Sequence, residues 1–352
     1  MNTKTRVAII GTGNISHYHM LGYKRLTDTV EVVACCDIDL EKAREYAEKY
    51  NIPSVYADYN EMLAKEKIDA LSVTTWNREH KNAAIAALNA GVNVICEKPM
   101  ALNATEAEEM EAAAKKSGKV LQIGFVRRYG GDAILAKKFI DSGKAGDIYY
   151  AKVQYLRVNG CPGGWFADKY YGGGGPLIDL GVHVMDLARY LAGEPKPIAA
   201  YGATFSTIGH NRPLAEGWAV KDDGRFKKDV EDFATAFVRF DNGMLLEIET
   251  SYNLNIAKET NAVELYGNKA GIQLGNPSTY VTLDGSTGTL EEDGILPGFD
   301  FDQGFADEIA HFIDCVRNGV TCRAPAHDGV ILMKMIDAIY ESARTGHEVT
   351  IQ

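Results

Sequence analysis

Apolar positions in the first third of the chain fall into short continuous runs separated by amphipathic stretches. Residues 6–10 (RVAII), 30–36 (VEVVACC), 70–74 (ALSVT), 92–96 (VNVIC) and 120–125 (VLQIGF) have the length and β-branched content of strands buried on both faces. Between them, helical periodicity runs from Asn14 to Leu26 and through 41–50, 61–67, 78–90 and 104–117. Strands and helices alternating at this pitch predict a doubly wound parallel sheet, with ligands at the carboxyl ends of its strands.

From about residue 128 the pattern changes. A helix at 134–142 leads to a long strand-like run, 148–158 (IYYAKVQYLRV), and then to a glycine-rich loop, 159–175, that carries Trp165, Tyr170 and Tyr171. Further strands are expected at 198–207, 232–240, 244–252, 261–266 and 280–283, with Asp241-Asn242-Gly243 as a hairpin turn. These predict an antiparallel sheet, closed by helices 305–318 and 328–345. The polar stretch 209–228 reads as a mobile arm, a subunit-crossing loop or a long surface loop.

A chain of 352 residues is too long for one ordinary core. Two domains are expected, 1–126 and 127–352, with the last helix packing back on the first. The formal charge of −11 opposes binding to nucleic acid or anionic lipid. No apolar run approaches the roughly 18 residues of a membrane span, and the start has no signal-like apolar core, so the expected location is the cytoplasm. The six cysteines contain no CxxC pair, so neither disulfides nor a zinc site is indicated.

The chemistry-bearing residues follow the strands. After the first comes Gly11-Thr12-Gly13-Asn14-Ile15-Ser16: Gly11 permits a tight turn, and Gly13 lets the backbone approach a pyrophosphate at the start of the next helix. Asp37 ends the second strand at about the separation of 20 residues expected for a carboxylate on the adenosine ribose, which favours NAD over NADP. Thr74, Thr75, Trp76 and Asn77 follow the next strand, with His80 in the helix beyond, and Glu97-Lys98-Pro99 follows the one after. The first group suits a cofactor ribose or a local turn, and Lys98 suits a substrate hydroxyl or a solvated turn. His17 and His19 lack a third ligand nearby, so no metal is assigned; His311, His327 and His347 are assigned no chemistry.

The second concentration is 172–186, GGGGPLIDLGVHVMD. Asp179, His183 and Asp186 recur at the spacing of one helix face behind a glycine loop. That spacing fits a reaction site or a surface helix with an incidental histidine.

Taken together, Gly11-x-Gly13, Asp37, Thr74-x-x-Asn77-x-x-His80, Glu97-Lys98-Pro99, the 124–129 segment GFVRRY and the block from Gly173 to Asp186 resemble the glucose-fructose oxidoreductase, inositol dehydrogenase and rhizopine catabolism (Gfo/Idh/MocA) family across nearly the whole chain. The resemblance implies a nicotinamide-dependent oxidoreductase with a Rossmann domain and a second α+β domain built on a large, mostly antiparallel sheet. It places the family's lysine, aspartate and histidine on Lys98, Asp179 and His183, and an arginine near the ligand at Arg127 or Arg128. Two positions depart: Trp76 stands where the family usually has proline, and Ser16 where it has glycine or alanine. It also implies a homo-oligomer through the free face of the sheet.

On this basis the expected reaction is oxidation of a secondary hydroxyl by NAD. His183 acts as base, Asp179 holds or charges its imidazole, and Lys98 stabilises the alkoxide. The expected cofactor contacts are Gly11, Gly13, Asn14, Ile15, Asp37, Thr74, Thr75, Trp76, Asn77, His80, Glu97 and Lys98. The expected substrate contacts are Arg127, Arg128, Tyr155, Trp165, Asp179, His183 and Asp186, which suit a sugar, glycoside or cyclitol, with pyranose C3 as one position used by relatives. The alternatives are a glycosidase that oxidises, eliminates and returns the hydride, and a non-catalytic NAD-binding regulatory protein. The glycines before Asp179 are expected to give cofactor and substrate room to approach.

Overall fold

The computed structural model describes residues 4–209 and 224–352. Most of the expected 209–228 arm therefore lies outside the described residues. The chain divides into two compact units, Met1–Tyr129 with Phe301–Val330, and Gly130–Asp300 with Ile331–Gln352.

The first unit alternates strand and helix. Its order is β1 (Thr5–Ile10), α1 (Asn14–Lys24), β2 (Val30–Cys36), α2 (Leu40–Tyr50), β3 (Ser54–Tyr56), α3 (Tyr59–Lys65), β4 (Ala70–Val73), α4 (Asn77–Asn89), β5 (Asn93–Glu97), α5 (Ala104–Ser117) and β6 (Leu121–Gly124). All six strands are parallel, in the order β3-β2-β1-β4-β5-β6. The order reverses at β1 and β4, which opens a crevice at the carboxyl end of β1. The helices are punctuated by local chemistry. Asp39, Asp58 and Asn103 accept backbone N–H bonds at the starts of α2, α3 and α5, while left-handed Asn51 and Gly118 end α2 and α5.

One face of that sheet is closed from far along the chain. In the first unit, α9 (Phe301–Asn318; α6 to α8 are given below) sends Ile309, Phe312 and Ile313 into the core with Val7, Ile9, Tyr23 and Tyr46. The fit is tight: a Cβ on Gly22 of α1 would lie 2.8 Å from the Ile309 Cβ. The edge strand β6 is covered by the connection after α9, through a bridge between Gln122 and Pro325 and the Ile123 N–H bond to the Ala324 carbonyl.

The second unit is built on a nine-stranded sheet. In chain order it has α6 (Gly131–Asp141), β7 (Ile148–Leu156), α7 (Lys169–Gly172), α8 (Val182–Leu191), β8 (Pro197–Phe205), β9 (Phe233–Phe240), β10 (Leu245–Ser251), β11 (Thr260–Gly267), β12 (Ala270–Gln273), β13 (Thr279–Thr282) and β14 (Thr287–Thr289), before the later part of α10 (Ala326–Thr345) and β15 (Val349–Thr350). The strand order is β14-β13-β12-β11-β7-β10-β9-β8-β15; only β7 and β10 pair in parallel. The alternating burial of β8, β9 and β10 shows one face on the core and the other open. Across the open face, matched registers carry a row Tyr201, Phe237, Glu247, Lys152, Glu264 and Gln273.

Candidate functional site

In the first unit, the turn after β1 requires its glycine. Gly11 has φ +87°, and a Cβ there would sit 2.6 Å from the Thr74 carbonyl oxygen. Gly13 then caps α1 without a side chain, and no acidic residue occupies the first turn of that helix. Among the described residues beyond its chain neighbours, a Cβ on Gly13 would meet just the Lys42 ammonium nitrogen within 4 Å, at 3.9 Å. The approach to this helix start is therefore open, positively polarised and overlooked by a cation, which is what a pyrophosphate needs. Lys42 was not legible from the motif, because it arrives from α2.

Ser16, which departs from the family pattern, ties the same loop. Its hydroxyl donates to the Gly13 carbonyl at 2.6 Å, and its own carbonyl accepts from Tyr46 at 2.9 Å. Beyond β2, Asp37 is fixed by the Thr12 N–H at 2.8 Å and hydroxyl at 3.0 Å on one oxygen, and by the Asp39 N–H at 3.0 Å on the other. A carboxylate held beside an open helix start fits the adenosine ribose of NAD and opposes a 2′-phosphate.

Four expected ligand contacts in this unit turn inward. The Thr74 hydroxyl bonds to the carbonyls of Ile10 and Gly11, at 3.0 and 2.6 Å, so its side chain locks the glycine turn. Glu97 accepts from or donates to His19 Nε2 at 2.9 Å through one oxygen and accepts the Lys98 N–H at 3.2 Å through the other. His19 continues to Ser72 and thence to Tyr23, at 3.0 and 2.7 Å, so Glu97 terminates a buried polar chain. His80 is buried with Nδ1 at 2.8 Å from the Pro99 carbonyl and Nε2 at 3.2 Å from that of Thr75. It joins the turns that follow β4 and β5, and burial holds its pKa below the usual value. Arg128 is 0% exposed and ion-paired with Asp328 at 2.9 Å while donating to the Arg323 carbonyl. Its guanidinium anchors the connection after α9, whereas Arg127 is half-buried.

Trp76 has an equally local explanation. At the N-cap of α4 its backbone has φ −70° and ψ 156°, and that φ is the one a proline ring would fix. Lys98 is half-buried and directly follows β5.

In the second unit, Asp179 and His183 do not share an ordinary α-helical turn. Residues Leu177–Gly181 form a π-helical turn, and α8 begins at Val182. The wider turn changes the phase expected from the spacing; such turns recur at functional sites. Asp179 is buried and accepts the Tyr252 hydroxyl at 2.9 Å. His183 is half-buried at the head of α8, while Asp186 is buried. Burial and the Asp179 charge raise the Tyr252 phenol well above its usual pKa, so it remains a donor.

Arg157, just past β7, also feels the Asp179 carboxylate. Burial opposes its charge, yet Tyr155 and Asp179 hold its pKa raised. The guanidinium donates to the Gly160 carbonyl at 2.8 Å and reaches the Tyr155 hydroxyl at 3.4 Å. Trp165 is half-buried and stacks on Phe166, with ring centroids 3.8 Å apart. Tyr252 and Arg157 were missed by motif reading, since each comes from a strand end remote from residues 172–186.

The glycine loop has a different reason from the one expected. A Cβ on Gly174 would lie 2.1 Å from the Tyr340 hydroxyl oxygen, and one on Gly175 would lie 2.4 Å from the Glu231 carbonyl oxygen. The room is filled by the protein itself. Glu231 accepts the Gly175 and Leu177 N–H groups at 3.0 and 3.2 Å and the Tyr340 hydroxyl at 2.8 Å. A carboxylate thus caps the start of the π turn and fixes the backbone that presents Asp179.

Residues 5–125 match a family described as "Oxidoreductase family, NAD-binding Rossmann fold", and residues 137–351 match its C-terminal alpha/beta domain. D-glucoside 3-dehydrogenase of Escherichia coli K12 is 35% identical over 348 residues, covering 98% of this chain and 97% of the relative. scyllo-Inositol 2-dehydrogenase (NAD(+)) of Bacillus subtilis 168 is 28% identical, covering 100% and 97%. A solved structure of levoglucosan dehydrogenase in complex with NADH superposes with a TM-score of 0.88 at 25% identity, covering 99% of this chain and 100% of that one. The motif pattern, the parallel sheet followed by a mixed, mostly antiparallel one, and these matches agree: the chain belongs to the Gfo/Idh/MocA oxidoreductase family and carries its NAD-binding Rossmann domain.

Proposed function

We propose that this protein oxidises a secondary hydroxyl of a sugar, glycoside or cyclitol with NAD as the acceptor. The observation that carries the reading is the Asp179 carboxylate, fixed by Tyr252 on a π turn four residues before the half-buried His183. It stands in a chain whose relatives include a glucoside 3-dehydrogenase, an inositol 2-dehydrogenase and a levoglucosan dehydrogenase.

Gly13, Asn14 and Ile15 at the open start of α1, with Lys42, would hold the pyrophosphate; Asp37 would hold the ribose hydroxyls. When bound, NAD supplies the hydride acceptor. His183 takes the substrate hydroxyl proton, and an imidazole suits this because its ordinary pKa of about 6.5 leaves a neutral fraction at neutral pH. Asp179 orients the ring and offsets the charge it acquires. The family resemblance gives Lys98 the role of stabilising the developing alkoxide. In the second unit, Arg157, Tyr155 and Trp165 supply donors and an aromatic face suited to a polyhydroxylated ring.

The outer face of the second sheet accepts a second copy of the chain. Tyr201 and Phe237 are 49% and 41% exposed on paired strands, next to a Glu247–Lys152–Glu264 ladder with self-complementary charge. The reaction belongs to the cytoplasm, in keeping with six unbridged cysteines. Among the described residues, no helix is long and apolar enough to cross a membrane.

The test is a panel of inositols, monosaccharides and aryl glycosides with purified protein and NAD, read by NADH absorbance and mass spectrometry of products. Accumulating NADH with a keto product supports the proposal. Aglycone release without NADH would replace it with oxidation, elimination and return of the hydride, and silence across the panel would leave an NAD-binding protein without this activity.

A further inference from the structure

We infer that Cys315 and Cys322 form a redox-active dithiol site in the first unit, which a hydroperoxide converts to a disulfide with His311 as the base. His311 and Cys315 lie one turn apart on α9, and Cys322 comes from the connection that follows it. One nitrogen and two sulfurs from these residues all lie within 4.8 Å of one another.

The hydrogen bonds assign the roles. The Cys315 sulfur is 3.4 Å from His311 Nε2, and the Arg323 N–H donates to the same nitrogen at 2.9 Å. That nitrogen is therefore an acceptor facing the thiol, able to receive its proton. The Cys322 sulfur lies 3.6 Å from the Gln122 side-chain oxygen, beside the edge strand β6. Cys322 and His311 together pull the Cys315 thiol below its ordinary pKa in spite of burial, and the neighbouring Cys315 sulfur, with burial, pushes Cys322 up. The other cysteines behave oppositely. Burial raises Cys35 and Cys36 to about 12, and it also raises Cys96 and the half-buried Cys161. The nucleophilic form of sulfur is the thiolate, so Cys315 is the attacking sulfur, and Cys322, within 4.8 Å of it, is placed to resolve the product.

The chemistry balances with a hydroperoxide as oxidant. The Cys315 thiolate attacks the peroxide, the O–O bond breaks, and a sulfenic acid forms as the departing oxygen takes a proton. The Cys322 sulfur then attacks the sulfenyl sulfur, the S–O bond breaks, and water leaves as the S–S bond forms. Two thiols lose two electrons, and the peroxide gains them.

The experiment treats the reduced full-length protein with hydrogen peroxide in the presence of NAD. The intact mass should fall by two hydrogens and recover with dithiothreitol, and proteolysis should recover a cross-link between the Cys315 and Cys322 peptides. Cys322→Ser should instead leave a dimedone-reactive sulfenic acid on Cys315. The wild-type cross-link decides the matter even if that variant folds poorly. Cys161 oxidising while Cys315 and Cys322 stay alkylatable would overturn the assignment, as would one tightly held zinc per chain on a pair that resists peroxide.

Discussion

The Tyr252 hydroxyl donates to Asp179 Oδ2 at 2.9 Å, joining the residue just after β10 to the π turn that precedes α8. Because the phenol is wholly buried and its pKa is raised, it remains a donor through the working pH range. One carboxylate oxygen is therefore oriented by the fold, and that sets where an imidazole partner can be charged.

Tyr252→Phe should keep the fold and NAD binding while lowering kcat. A hydrogen bond to a charged group contributes about 1.5–3 kcal/mol, which corresponds to a loss of roughly 10- to 100-fold. Steady-state kinetics beside a fluorescence titration of NADH separates the two effects; an unchanged kcat would show that Asp179 needs no such support.

Asp37→Ala should act on the cofactor instead. Without the carboxylate fixed by Thr12, KM for NAD should rise by at least about tenfold, with a smaller change in kcat and a gain in relative use of NADP. Equal loss of kcat and no change in cofactor preference would place the nucleotide elsewhere.

His183→Ala and Lys98→Ala should each bind NAD and lose turnover by about 10²- to 10⁴-fold, the range for a positioned proton-transfer group. Single-turnover measurements by stopped flow check that the chemical step is the one affected.

His80 makes a pH-dependent contribution to stability. Burial lowers its folded-state pKa beneath the ordinary value of about 6.5, so the stabilisation is complete above that pH and is lost progressively as pH falls from there through the lower folded-state pKa. A neutral ring has one N–H, and the shorter contact, to the Pro99 carbonyl, assigns it to Nδ1. Melting curves between pH 7 and 5 should show the fall, and His80→Asn, which keeps a donor near Nδ1, should be less destabilised at pH 7 than His80→Gln.

Gly174→Ala should destabilise the second unit by at least about 2 kcal/mol, because the new methyl carbon meets the Tyr340 hydroxyl and both ring and backbone are held. Urea denaturation reads this directly.

Much of the first unit was legible because its signals are local. A β-branched run, a glycine turn and a helix are consecutive, and Asp37 lies at the end of the next strand. Short elements such as β3, β12, β14 and β15 carry too few residues to show a period. The inward roles of Thr74, Glu97 and Arg128 were hidden for another reason. Each satisfies a partner remote in sequence, the Gly11 turn, His19 and Asp328, and sequence order does not reveal which polar residue after a strand faces the crevice. The π turn was illegible too, since spacing reports composition along a helix and not a local change of pitch.

The Glu231 carboxylate reaches back 56 residues to the Gly175 N–H, and Tyr340 reaches Glu231 across 109 more. The glycine segment is thus one third of a lock whose other parts are encoded far downstream. Transplanting residues 172–186 between relatives to exchange specificity would carry the reacting side chains without the groups that hold their backbone. In this chain the segment keeps its backbone through Glu231 and Tyr340, so the unit of exchange is all three parts together.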